Sequence, residues 1–285
     1  MASRVVLVTG CSSGIGLETA LAFARSGDTT IASMRNLAKA DALMSRAKDE
    51  GLEVDLVQLD VTDDASVAAA VADVERRHGV IDVLVNNAGV GYDGAIETID
   101  FDRARAVLEA NLWGPVRVIR AALPAMRERR SGLIVNVSSV AGRVPATAYQ
   151  AFYAASKHGM NAVSEALSQE VAQFGIRVVC IEPGFFATDI VANADEGASR
   201  SGPYAADHEW VLEFYRKSVV SASGAPSVVA NAIVAAADDP ATPLHVLVGD
   251  DAVMFVDLLS HYESFEAWTP VAQQIMEGVA GPRPT

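Results

Sequence analysis

Seven short apolar runs, separated by longer amphipathic stretches, constrain this chain more than any single motif does. Continuous, β-branched-rich runs at residues 4–9, 29–33, 53–59, 80–85, 132–137, 176–181 and 244–248 predict strands. A strand that reads apolar without alternation is buried on both faces. Helical periodicity fills 15–26, 37–50, 64–78, 101–123 and 153–174. The βαβ alternation predicts an α/β fold, a doubly wound parallel sheet with helices on both faces. No internal repeat or low-complexity linker interrupts it, so residues 1–285 are expected to form a single domain. Two stretches break the alternation. Residues 185–227 are an insertion around an aromatic segment, and 250–285 are an apolar-rich C-terminal extension. Loops this long in a compact domain are functional lids or disordered.

Composition narrows the function classes. A net charge of −14 argues against a nucleic-acid partner or an anionic membrane bound through phosphate attraction. The two cysteines, Cys11 and Cys180, form no disulfide framework and suit a reducing cytosol. No uncharged apolar run approaches the ~18 residues of a membrane span, and no leader-like segment precedes the first run. The expectation is a cytoplasmic protein without a membrane span. His78, His158, His208, His245 and His261 are scattered without metal-ligand spacing, so no metal is expected.

Two local patterns carry chemistry. The first run leads into Thr9-Gly10-Cys11-Ser12-Ser13-Gly14-Ile15-Gly16, which opens a helix. Glycines let a backbone approach a pyrophosphate closely, and a helix N-terminus favours its negative charge. The second pattern is Tyr153-Ala154-Ala155-Ser156-Lys157. On a helix, residues four apart share a face, so the ammonium lies near the phenol. A nearby cation favours the phenolate and is expected to pull its pKa from about 10 toward neutrality, which suits an acid/base for an alcohol or carbonyl.

With these patterns the chain resembles the short-chain dehydrogenase/reductase superfamily, in its common catalytic branch, over residues 4–249. The glycine turn, Asp60-Val61, Asn86-Asn87-Ala88-Gly89, Asn111, Asn136-Val137-Ser138-Ser139, Tyr153/Lys157 and Pro183-Gly184 follow in the family's order. The resemblance implies one dinucleotide-binding catalytic domain. It makes Tyr153 the acid/base, with Lys157 lowering its pKa and holding the nicotinamide ribose. Ser139 bonds the reacting oxygen, and Asn111 holds a water in a proton relay. A mid-helix Asn bonding backbone at a kink is the other reading of Asn111. Ser139 lies fourteen residues before Tyr153, where relatives have thirteen; alignment on Val140-Ala141-Gly142 selects Ser139 over Ser138. The implied cofactor contacts are Gly10, Ser12, Ser13, Gly14, Ile15, Gly16, Asp60, Val61, Asn87, Ala88, Gly89, Pro183, Gly184, Phe186 and Thr188. Thr188 also reads as a helix cap.

The run 32–36, Ala-Ser-Met-Arg-Asn, lacks the acid that NAD-preferring members use to hold both ribose hydroxyls. Arg35, helped by Ser12, reads as a partner for a 2′-phosphate, which makes NADP(H) the expected cofactor. A solvated loop cation is the alternative. Trp210, Phe214 and Tyr215 fall at i, i+4 and i+5, an aromatic stripe that either packs the insertion down or lines a pocket with Tyr149, Phe185 and Phe186. The likeness is strongest to steroid- and retinol-dehydrogenase-like members, implying a small hydrophobic alcohol or ketone. Family habit implies a homodimer or homotetramer. Three readings compete: an NADP(H)-dependent dehydrogenase/reductase (with an NAD(H)-preferring version), a cofactor-sensing binding protein without turnover, and a sugar-nucleotide epimerase or dehydratase. A sensor typically lacks the Tyr or Lys, and the third needs a larger C-terminal domain.

Overall fold

The computed structural model describes residues 3–188, 202–222 and 224–284. Its centre is a seven-stranded sheet in the order β3-β2-β1-β4-β5-β6-β7. The strands are β1 (Val5–Val8), β2 (Thr29–Met34), β3 (Asp55–Gln58), β4 (Val83–Asn86), β5 (Gly132–Val137), β6 (Ile176–Pro183) and β7 (His245–Val248), and every pairing is parallel. The uninterrupted apolar runs have a direct cause. In β1, Val6 and Val8 point into one core while Val5 and Leu7 point into the other. The first core is closed by α1 (Gly14–Arg25), α2 (Asp41–Asp49) and α8 (Pro226–Asp238), through side chains such as Leu21, Leu43 and Ile233. The second is closed by α3 (Asp64–His78), α5 (Gly114–Arg129) and α6 (Ala151–Ala172), through Val71, Val118 and Leu167.

Helix boundaries follow local chemistry. Helix α3 covers the expected 64–78 because the Asp63 carboxylate caps the Ser66 amide and Gly79 ends it at φ +88. The helix expected over 101–123 is instead α4 (Phe101–Leu108), a π turn (Glu109–Trp113) and α5. The segment expected as one helix over 37–50 is a 3₁₀ turn (Leu37–Lys39) followed by α2. The insertion contains α7 (Ala205–Ala222), and its last two residues already belong to α8, which packs on α1. Residues 189–201 and 223 of that insertion lie outside the described residues. The C-terminal extension folds into α9 (Asp250–Leu259) and α10 (Phe265–Ala280). Among the described residues no helix is long and apolar enough to cross a membrane.

Strand order reverses between β1 and β4, and the crevice beyond their carboxyl ends is where ligands bind in such sheets. Ile15, Asn87, Ser139, Tyr153, Lys157 and Gly184 line a cavity there.

Candidate active site

The glycine turn after β1 is held from below by the end of β4. Thr9 Oγ1 accepts the Asn87 and Ala88 amides, each at 3.0 Å, and Asn87 Nδ2 donates to Thr9 O at 2.9 Å and Gly10 O at 3.2 Å. Gly10 has φ +74, and a Cβ there would lie 2.8 Å from Ala88 Cα. A Cβ on Gly16 would collide with Gly10 O and Asn87 Nδ2. Ser13 caps α1 in an extended conformation with no side-chain cap bond, leaving the first-turn amides for another acceptor. These residues fit a dinucleotide phosphate: a tight backbone cradle at a helix N-terminus. Gly14 sits at φ +57, and a Cβ there would meet the Thr188 side chain at 3.6 Å.

Arg35 is exposed immediately after β2, and its carbonyl accepts Gln58 Nε2 at 3.1 Å. Burial pushes the Asp60 carboxyl up, but hydrogen bonds from the Thr62 amide and hydroxyl, with the Arg35 charge, bring it below the usual range. Val61 is buried, and a Cβ on Gly114 would strike it.

Tyr153 and Lys157 lie one turn apart on α6, with the Lys157 nitrogen 5.6 Å from the Tyr153 ring centroid. Lys157 is 4% exposed and donates to Val137 O at 3.0 Å. Tyr153 and Ser139 line the same cavity, and Ser139 opposes the rise that burial imposes on the phenol. Ser139 also caps the turn Val140–Gly142, its Oγ accepting the Ala141 amide at 3.1 Å. Ser138 is buried and donates to Lys157 O at 3.2 Å, a support for the strand end.

Electrostatics correct one expectation. The phenol is not drawn down. Burial pushes Tyr153 up, the Ser139 hydrogen bond opposes this, and the Asp93 charge adds to the rise. Burial also pulls Lys157 down to about 8. Helix spacing predicts that two groups are close; it does not contain the desolvation that dominates here.

Asn111 sits in the π turn, where the Gly114 amide bonds Glu109 O and the regular ladder shifts by one residue. Its Nδ2 donates to Val90 O at 2.9 Å and Ser156 Oγ at 3.1 Å, and its Oδ1 accepts the Val90 amide at 2.8 Å. Both amide hydrogens are committed, so the side chain ties the segment after Gly89 to α6.

Tyr153, Ser139 and Lys157 line a cavity of about 490 Å³. Its roof is Phe185 and Phe186 after β6, then Trp210, Phe214 and Tyr215 on α7, then one face of α10. Phe185 meets Phe214 edge-on at 5.8 Å, so the stripe both packs the roof and faces the cavity. Phe186 is buried, pairs in a bridge with Gly224 and contributes to the same lining. Tyr149 is not on the wall. With φ +69 it turns away, donates its hydroxyl to Asp207 at 2.5 Å and stacks on His208 at 4.5 Å. Pro183-Gly184 end β6 below the roof. Phe185 N donates to Asp251 Oδ2 at 2.5 Å, and a Cβ on Gly184 would strike that carboxylate.

Sequence reasoning missed the α10 wall. Trp268, Ala272, Ile275 and Met276 face the cavity at helical spacing, so the signal existed as periodicity. It also missed Glu182, which the fold joins to Cys180 and His245 with ligand-capable atoms within 4.8 Å.

Comparison with known proteins agrees with this geometry. A family model described as short chain dehydrogenase matches residues 4–199. Retinol dehydrogenase 8 of Bos taurus is 38% identical over 226 residues, 78% of this chain and 71% of that one. A short-chain dehydrogenase from Streptomyces avermitilis superposes with a TM-score of 0.79 at 37% identity, covering 95% of this chain and 97% of that one. A variant actinorhodin polyketide ketoreductase crystallised with NADPH superposes with a TM-score of 0.75 at 32% identity, covering 86% and 95%. The matched span runs from β1 past the Tyr153/Lys157 helix and the Gly184 turn, and the chain belongs to the short-chain dehydrogenase/reductase family.

Proposed function

We propose that this chain is an NADP(H)-dependent oxidoreductase that interconverts a hydrophobic secondary alcohol and its ketone, or an alcohol and its aldehyde, with Tyr153 as acid/base. The observation that carries the reading is that Ser139, Tyr153 and Lys157 together line the floor of an apolar-roofed cavity beside the glycine turn. A nicotinamide cofactor, when bound, supplies or accepts the hydride. Gly10, Ser12, Ser13, Gly14, Ile15 and Gly16 would hold its pyrophosphate, and Arg35 its 2′-phosphate. Asp60, Val61, Asn87, Ala88 and Gly89 would line the adenosine side. Pro183, Gly184, Phe186 and Thr188 would line the nicotinamide side, with Lys157 on the ribose.

Ser139 hydrogen-bonds the substrate oxygen, and Tyr153 gives that oxygen a proton as it gains negative charge. A phenol pushed up by burial keeps its proton at neutral pH, the form that carbonyl reduction needs. The NADPH of the ketoreductase and the retinol-related name of the Bos taurus relative support the cofactor and the apolar substrate class. Exposed Phe101 at the start of α4 and exposed Trp113 at the end of the π turn support the homodimer or homotetramer of family habit, which light scattering tests.

The test is nicotinamide absorbance on mixing the protein with NADPH or NADH and a panel of apolar ketones and aldehydes. NADPH consumption is expected, with higher kcat/KM than for NADH. Equal values would remove Arg35 from its role. No turnover with any carbonyl or alcohol class would overturn the enzyme reading in favour of a cofactor sensor.

A further inference from the structure

Glu182 is fully buried at the end of β6, one residue before Pro183. An enclosed carboxylate costs several kcal/mol unless it is paired and hydrogen-bonded. Here both oxygens are used. Oε2 accepts Arg143 Nη1 at 3.1 Å; Oε1 accepts Asn161 Nδ2 at 2.9 Å and lies 2.8 Å from His245 Nδ1. Cys180 completes a trio of metal-ligand types, but burial pushes its thiol up to about 12 and the Arg143 cation already occupies the carboxylate. The cluster is a hydrogen-bonding node rather than a metal centre.

Charge neutralisation explains why Glu182 has partners, not where they come from. Arg143 directly follows the Val140–Gly142 turn that Ser139 caps. Asn161 lies one turn beyond Lys157 on α6 and also donates to Gly142 O at 3.0 Å. Ser138 Oγ donates to Lys157 O, and a Cβ on Gly142 would lie 2.8 Å from that same oxygen. The Ser139 turn is therefore docked flat on the helix that carries Tyr153 and Lys157. Glu182 is the acceptor that grips the far edge of the turn through Arg143 and the helix through Asn161.

We infer that Glu182 is a positioning residue: with Arg143 and Asn161 it fixes the Ser139 hydroxyl against the Tyr153 hydroxyl. The inference rests on the acid/base role proposed above for Tyr153. Its signature follows from the local charges. The Ser139 hydrogen bond draws the phenol down against burial, so loosening the turn raises the pH at which Tyr153 ionises. Lys157 on the same helix, Asp93 after β4 and Tyr215 on α7 also face this phenol and are left in place.

The experiment compares Glu182→Gln, Arg143→Met and Arg143→Lys with wild type. A misplacement of the reacting groups by a fraction of an ångström costs on the order of tenfold or more in rate. Glu182→Gln and Arg143→Met are expected to lower kcat about tenfold with the KM for NADPH within about twofold. Both should move the Tyr153-controlled limb of the pH–rate profile to higher pH, and Arg143→Lys should restore most of both effects. Tyrosinate absorbance, taken as the difference between each protein and its Tyr153→Phe counterpart, reads the same shift without turnover. That readout separates failure of this inference from failure of the proposed reaction. Folded, NADPH-binding Glu182→Gln and Arg143→Met with an unmoved Tyr153 titration would overturn it. If Glu182→Gln does not fold, the Arg143→Met and Arg143→Lys contrast carries the same decision.

Discussion

Tyr153 and Trp210 face one cavity but are held there by different physics. The floor around Tyr153 is pinned by directional bonds: Lys157 to Val137 O, Ser138 to Lys157 O, and Asn111 to Val90 and Ser156. The roof around Trp210 is mostly an aromatic and aliphatic cluster, Trp210, Val211, Phe214 and Tyr215 against Ile275, Met276 and Val279. Its polar ties lie at the edges of that cluster, among them Trp210 Nε1 to Gly281 O at 2.7 Å, Arg283 to Asp207 at 2.6 Å and Tyr149 to Asp207 at 2.5 Å. Hydrogen bonds fix atoms to tenths of an ångström, as proton transfer demands, whereas apolar packing is non-directional and tolerates different occupants. A floor that does chemistry and a roof that selects shape is the division this difference implies.

Variants can break that division. The largest effect is expected from Tyr153→Phe, which should lower kcat about a thousandfold while NADPH affinity stays within a few-fold. Fluorescence titration beside steady-state kinetics checks both. Next comes a stability effect. The folded pKa of Lys157 lies near 8, below its ordinary 10.5, so between those values the unfolded chain binds the proton and the folded one does not. Its contribution therefore makes stability rise with pH across that window, by on the order of 1–3 kcal/mol. Urea unfolding from pH 7.5 to 10.5 (roughly the window set by that shift) should show this slope, flattened in Lys157→Met. Arg35→Ser should cost kcat/KM for NADPH about tenfold to a hundredfold and leave the value for NADH almost unchanged.

The roof should respond in another parameter. Phe214→Ala is expected to raise KM for an apolar ketone about tenfold with kcat within about threefold. A kcat loss as deep as that of Tyr153→Phe would abolish the floor-and-roof distinction. Arg283→Ala, which removes a half-exposed ion pair, should change that KM less than about fivefold, in line with the ~1 kcal/mol ceiling of such pairs.

Much of the floor was legible before any coordinates. A parallel strand buried on both faces must read as an unbroken apolar run, so 132–137 coincides with β5. Helix α3 was visible as helical periodicity over 64–78, and the structure ends it at Asp63 and Gly79. Other features are decided by contacts that spacing does not encode. The break at 109–113 accompanies the Asn111–Val90 bonds between segments 21 residues apart. Tyr149 leaves the wall because its backbone adopts φ +69, uncommon for a residue with a side chain. The ionisation of Tyr153 depends on burial, which belongs to the tertiary structure. The α10 face was visible as periodicity, but periodicity does not name the surface it will meet.

Asp251 carries a consequence for the order of events. Its carboxylate accepts the Phe185 amide and crowds Gly184 and Gly249, so the turn after β6 and the start of α9 form one mechanical piece. A ligand that settles that turn also settles the base of α9, and free energy spent there by a first ligand is not spent again by a second. Reciprocity then requires that each ligand change the other's affinity by the same factor. Two ligands seated on either side of that turn would be coupled through this one carboxylate.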